Sequence, residues 1–160
     1  MTEFENEYTW GKAVADNAQD EFHANFDKAI EEVRNEFGKK YPNIINGKEV
    51  FSEDVFEVRS PANRDIVLAK FPQGTKQNVQ DAIDAAKNAF ESWSGNSYQT
   101  RVNIFRECAD VFSMQKFYHA AIMTFENGKN RIEAINDVDE AIDFMRFYAY
   151  QLEKNEGFCK

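Results

Sequence analysis

The stretch YPNIINGKEV, residues 41–50, decides the fold: two apolar positions, an Asn-Gly pair and a polar ascent into another apolar run. Asn46 and Gly47 both tolerate positive φ, as a two-residue type I′ turn requires, so Ile44-Ile45 is expected to fold back antiparallel on Lys48-Glu49-Val50. A second strand pair is expected just beyond. VFEVRS alternates Phe56 and Val58 against Glu57 and Arg59, PANRD supplies a turn, and IVLAKF runs apolar. Strands are therefore expected between 43 and 71. Isolated hairpins are marginal in water, so these must lie on something.

Beyond these strands most of the chain reads as helix. Before them, Phe22, Phe26, Ile30, Val33 and Phe37 recur at spacings of three and four, with charged residues in between. Gly38 and Pro42 supply a stop, which places a helix over 16–38. The first fifteen residues have no clear period and read as a loose arm. After Gly74, Thr75 is a credible N-cap, and Val79, Ala82, Ile83, Ala86, Phe90 and Trp93 make one apolar stripe over 75–94. The next helix, 98–127, carries Val102, Phe105, Cys108, Ala109 and Phe112 on one side. It continues through Ala121, Ile122 and Phe125, with a break near Met114, to a stop at Asn127-Gly128. The last, 131–155, is the most regular: Ile135, Val138, Ile142, Met145, Ala149 and Leu152 form a narrow seam suited to packing along another helix. The expected fold class is α+β and mainly helical, with four to five amphipathic helices and a small antiparallel hairpin sheet between the first helix and the rest. At 160 residues, with 42% hydrophobic and 29% charged, the chain suits one domain.

Composition narrows the partners. Nineteen Lys and Arg against 28 Asp and Glu give a net charge of −9. A surface this acidic repels phosphate backbones and anionic lipid heads, so nucleic acid and membrane are poor partners. No apolar run approaches the length of a bilayer span, and MTEFENEYTW lacks the basic flank and apolar stretch of a signal peptide, which implies a cytoplasmic chain. Cys108 and Cys159 lie far apart and suit a reduced compartment. Cys108 falls on an apolar helix face and reads as core, Cys159 as incidental. Fifteen Phe, six Tyr and two Trp make 14% of the chain aromatic. A domain this small has little interior to receive them all, so some are expected to meet another surface.

Motifs that carry chemistry are scarce. No G-x-G-x-x-G follows a strand, no G-x-x-x-x-G-K-[ST] occurs, and ENGKN has the wrong glycine spacing for a phosphate loop. His23 and His119 stand without Cys, His or carboxylate neighbours at ligand spacing, and read as surface or satisfied histidines. Glu140, with Asp137 and Asp139 close by, lies beside the last helical seam and reads from physics alone as a solvated carboxylate near a helix N-terminus.

The succession KKYPNIINGKEV, FEVRSPANRDIVLAKFPQG, a helix ending AFESWSG, a helix led by Arg101, FENGKN and EAIDFMRFYAY resembles the N-terminal portion of the aldehyde dehydrogenase superfamily. The long helix before YPNIINGKEV and the EAIDF segment are similar to the delta-1-pyrroline-5-carboxylate dehydrogenase branch, which oxidises glutamate semialdehyde to glutamate with NAD in proline catabolism. The resemblance runs from about Phe26 to Gly157. It implies a piece of the cofactor-binding domain that helps wall the substrate tunnel, in a family whose nucleophilic cysteine, general-base glutamate, oxyanion-stabilising asparagine and nucleotide-binding glycines all lie further downstream. It therefore implies no catalytic, cofactor-binding or metal residue within this chain, although the full-length family binds NAD. Glu140 matches a tunnel-facing position, where a glutamate could meet the substrate's ammonium group. Glu126 of ENGK matches a carboxylate near a structural cation in some relatives, but reads better as a surface residue at a helix end. The chain departs from the family in SMQKFYH, where a basic cluster is common, and in Asn130, which replaces a common proline. Two functions are expected of such a piece: an N-terminal dehydrogenase segment, inactive alone, or a free-standing helical oligomerisation or docking module. Either implies self-association, or contact with the remainder of a dehydrogenase, through exposed aromatic surface.

Overall fold

A computed structural model describes residues 4–158, and they divide into two compact units, one of residues up to Asn35 together with those from Ser97 onward, the other Glu36–Asn96. Cys159 lies outside the described residues. The architecture is α+β and mainly helical, as the periodicities imply.

The first unit is built from helices α1 (Thr9–Ala15), α2 (Gln19–Arg34), α4 (Tyr98–Met114), α5 (Lys116–Asn127) and α6 (Arg131–Lys154), followed by a 3-10 turn at Glu156–Phe158. Helix α1 corrects the reading of the first fifteen residues as a loose arm. It has no apolar period because it owes its order to tertiary contacts: the Trp10 ring meets Phe22 edge-on at 4.9 Å. Helix α2 buries Phe22, Phe26, Ala29 and Val33, one stripe at spacings of four, three and four. It begins at Gln19 and not Asp16, because Asn17 takes a left-handed φ of 55° between the two helices. It ends at Arg34, short of the expected Gly38.

The 98–127 helix is broken, as read, just after Met114. Gln115 ends α4 at φ −106°, ψ 13°, and its N–H is shared between the carbonyls of Val111 and Phe112. Ala120 and Ala121 are the buried residues of α5. Gly128, at φ 74°, closes α5 in the left-handed conformation that costs a glycine little. Asn130 then starts α6 with a reciprocal cap. Its side chain accepts the N–H of Ile132 and of Glu133, each at 3.0 Å, and Glu133 reaches back to the Asn130 N–H. Along α6 the buried residues Ala134, Ile135, Val138, Ile142 and Ala149 follow the expected seam against α4 and α5.

The second unit holds strands β1 (Lys39–Lys40), β2 (Asn43–Ile45), β3 (Lys48–Val50), β4 (Val55–Arg59) and β5 (Val67–Pro72) and helix α3 (Lys76–Ser94). The hairpin forms as read: Ile45 pairs with Lys48 across Asn46-Gly47, whose φ values are 51° and 70°. Strands β4 and β5 pair antiparallel from Val55/Pro72 to Arg59/Val67, with a bulge between Val58 and Arg59. Strand β1 is an addition that hydrophobic pattern did not announce. Two exposed lysines pair parallel to β5, and the flanking Gly38 and Tyr41 N–H groups donate to Leu68 and Lys70 carbonyls. Residues 38–41 thus set their backbone against β5, which competes with continued helix. Beyond β5, Thr75 caps α3 as expected, and its hydroxyl accepts the Asn78 N–H at 3.1 Å. No residue of α3 is buried: Val79, Ile83, Phe90 and Trp93 are 58%, 43%, 66% and 48% exposed.

Candidate functional site

A residue two positions along a helix lies about 200° around it, so Glu140 stands almost opposite Val138 and Ile142, and it is exposed. The reading that set it beside the seam is corrected accordingly. Ten residues into α6, it is also far from the first turn, whose only acidic residue is Glu133. Glu140 shares its outward face with Phe144, Phe147 and Tyr148, at steps of four, three and one, all large rings open to solvent. Phe144 and Tyr148 stack with centroids 5.9 Å apart. One carboxylate at the head of an aromatic strip is a surface that can orient an ammonium group and pack the rest of a small organic molecule.

Toward the C-terminal end of α6 that strip opens into an apolar groove of about 490 Å³, lined by Val102, Phe105, Phe147, Tyr148, Leu152 and Phe158 among others. A two-pronged ion pair ties its walls: the Arg106 guanidinium donates to both Glu153 carboxylate oxygens, at 3.1 and 2.8 Å, and holds the Glu153 carboxyl below its usual range.

On its other flank, α6 carries groups that sequence reading missed. Asp139 reads in the sequence as one of several solvated carboxylates, yet it is 4% exposed. Its two oxygens accept the Thr9 N–H at 2.7 Å and the Thr9 hydroxyl at 2.8 Å. Burial raises its carboxyl above the ordinary range, against the pull of those bonds. One turn on, Asp143 accepts the Glu7 N–H at 2.6 Å and is raised for the same reason. Between them the Glu7 carboxylate takes hydrogen bonds from Ser113 on α4 (3.0 Å), Lys116 on α5 (2.8 Å) and Arg146 on α6 (2.6 Å). Burial pushes its carboxyl up, but Lys116 and Arg146 overcome that and hold it below the usual value. The available signal was Asp139's register with Ile135 and Ile142, a polar residue on the edge of an apolar seam.

The remaining candidates do not converge. Glu126 is exposed at the end of α5. Cys108 is exposed, which corrects its assignment to the core: α4 buries Val102 and Ala109, and Cys108 falls a helical step to the side. His23 lies against Trp10 and Phe22. His119 is not a satisfied histidine, since its buried Nε2 has no hydrogen-bond partner; its ring stacks on Phe112 at 4.5 Å, and burial lowers its pKa. No group of three or more His, Cys, Asp or Glu among the described residues could hold a metal ion. No helix among them is long and apolar enough to cross a membrane. A dinucleotide would need free N–H groups at a strand-to-helix turn. At the passage from β5 to α3 the Thr75 N–H donates to Asn78 Oδ1 at 2.9 Å and the Asn78 N–H to the Thr75 hydroxyl at 3.1 Å.

Residues 49–159 match the aldehyde dehydrogenase family. Among curated relatives, the 1-pyrroline-5-carboxylate dehydrogenase of Staphylococcus aureus strain MW2 is 35% identical over 149 residues, covering 93% of this chain and 28% of its own length. The 1-pyrroline-5-carboxylate dehydrogenase 1 of Halalkalibacterium halodurans is 35% identical over 133 residues, covering 82% of this chain and 26% of its own. A solved 1-pyrroline-5-carboxylate dehydrogenase from Thermus with bound NAD superposes at a TM-score of 0.85 and 28% identity, over 98% of this chain and 29% of that one. The chain thus spans a little over a quarter of the length of the relatives it matches.

Proposed function

This chain belongs to the aldehyde dehydrogenase family, and on that premise we propose that it is the N-terminal scaffold segment of an NAD-dependent 1-pyrroline-5-carboxylate (glutamate semialdehyde) dehydrogenase of proline catabolism, working in the cytoplasm and without turnover on its own. The observation that carries this reading is the outward face of α6, where Glu140 heads Phe144, Phe147 and Tyr148 and none is buried. Such a face is a wall that needs an opposite wall. Glu140 supplies an anion for the substrate's ammonium, the rings exclude water beside its carbon chain, and the redox chemistry, with its thiol nucleophile and NAD, belongs to the complementary polypeptide. The bare stripe of α3 favours a second contact of the same kind, with that polypeptide or with another copy of this chain.

The test is reconstitution. The purified chain alone is expected to produce no NADH from glutamate semialdehyde, and addition of the remaining portion of a homologous dehydrogenase is expected to restore it. Turnover by the 160-residue chain by itself would overturn the proposal. In the restored enzyme, Glu140→Gln is expected to raise KM for glutamate semialdehyde roughly tenfold, the size of effect that removal of one charged hydrogen bond produces, and to spare simple aliphatic aldehydes. An equal effect on both would return Glu140 to the status of a solvated carboxylate.

A further inference from the structure

We propose that residues 4–9 form a charge-latched strap that closes one edge of the apolar groove between α4 and α6 and opens without unfolding the helices beneath it. The strap is fastened almost wholly by side-chain chemistry. Glu7 reaches a different helix with each of three hydrogen bonds: to Ser113, Lys116 and Arg146. The Glu7 and Thr9 N–H groups donate to the Asp143 and Asp139 carboxylates, which stand where a strand or helix would offer backbone carbonyls. Asp110 stands on the far side of Arg146, at 3.8 Å, and completes the charged groups around the latch. Apolar fastening is confined to the two ends, Phe4 on Phe147 and Trp10 on Phe22, and is slight between them. Tyr8 is 71% exposed, and α1, which the strap leads into, buries no residue. Segments with few buried apolar contacts open locally at small cost.

The strap reaches the groove through its first residue. The Phe4 ring meets Phe147 edge-on at 5.7 Å, and Phe147 is one of the side chains that line the groove. Release of Glu7 withdraws Phe4 and lays open that edge. Arg146, on the flank of α6, holds the latch one residue before Phe147, so latch and groove are joined through a single turn of helix. This inference concerns the isolated chain; it shares Phe147 with the proposed substrate wall, but its test reads exchange rates and not dehydrogenase activity.

Hydrogen exchange on the full chain tests it, comparing the wild type with Glu7→Gln and with Lys116→Gln, which weakens the latch from the helix side. Each variant is expected to speed exchange at the Glu7 and Thr9 amides, by about tenfold for Glu7→Gln and less for Lys116→Gln, while α4 to α6 amides hold their rates. Anilinonaphthalene sulfonate fluorescence is expected to rise with the same order of variants as the groove opens. Unchanged rates at Glu7 and Thr9 in both variants would overturn the latch. Equal acceleration across α4 to α6, or loss of helical circular dichroism in Glu7→Gln, would overturn the strap by making the segment part of the core.

Discussion

Asp139 accepts both donors of Thr9 yet still holds its proton more tightly than a free aspartate, because burial outweighs the two bonds. A carboxyl raised in the folded state favours folding fully below the unfolded value, about 3.9, and that contribution is lost as pH rises through the folded one. The stability difference between the wild type and Asp139→Asn, followed by urea unfolding across mildly acidic pH, should therefore move in favour of the wild type as pH falls. Asp139→Ala should cost about 1–3 kcal/mol, since it strands the Thr9 N–H. His119 carries the opposite dependence. Lowered by burial, its contribution is fully present above about 6.5 and lost as pH falls from there through the folded value. His119→Phe should keep the stack on Phe112 and flatten stability between neutral and mildly acidic pH. In the sequence only the register of Asp139 with Ile135 and Ile142 pointed this way, and nothing did for His119. A lone histidine and one aspartate among many reveal their burial only when distant elements close over them.

At the scale of elements, legibility follows locality. The Asn46-Gly47 turn, the Thr75 cap, the Gly128 stop and the α6 seam each declare themselves within a few residues, and each is where it was expected. Elements held by remote partners were missed: α1, whose Trp10 finds Phe22, and β1, whose two lysines borrow the edge of β5. The core reading of Cys108 failed for a related reason, since a helix stripe shows which residues are apolar but not how wide a strip its neighbours will cover. Asn130 shows the reverse, a position with a purely local physical account as half of the capping box that starts α6. Asn130→Ala should lower stability by about 0.5–2 kcal/mol, read as a drop in Tm by circular dichroism. Asn130→Ser should restore most of it.

For the whole molecule, the excess of aromatic rings has a plain resolution: many are on the outside. Tyr8, Phe51, Phe56, Phe90, Trp93, Phe105, Phe112, Phe144, Phe147 and Tyr148 are all substantially exposed. Apolar area of that extent promotes association even against the mutual repulsion of chains that each carry −9. The isolated chain should sediment as more than a monomer. Val79→Glu combined with Ile83→Glu should shift it toward monomer with helical content unchanged, because α3 buries none of its residues. A monomeric wild type would remove the ground for reading these faces as contact surfaces.

The hairpin tip also has a chemical lifetime. Asn46 and Gly47 are exposed, and an asparagine followed by glycine is prone to cyclise through the next backbone nitrogen, since no side chain shields it. Hydrolysis of the resulting succinimide leaves aspartate or isoaspartate. The latter threads an extra methylene into the main chain at a turn that accommodates only two residues between Ile45 and Lys48. Stored preparations should accumulate more acidic forms with a loosened β2–β3 ladder, so the motif that identifies the fold is also a place where the protein ages.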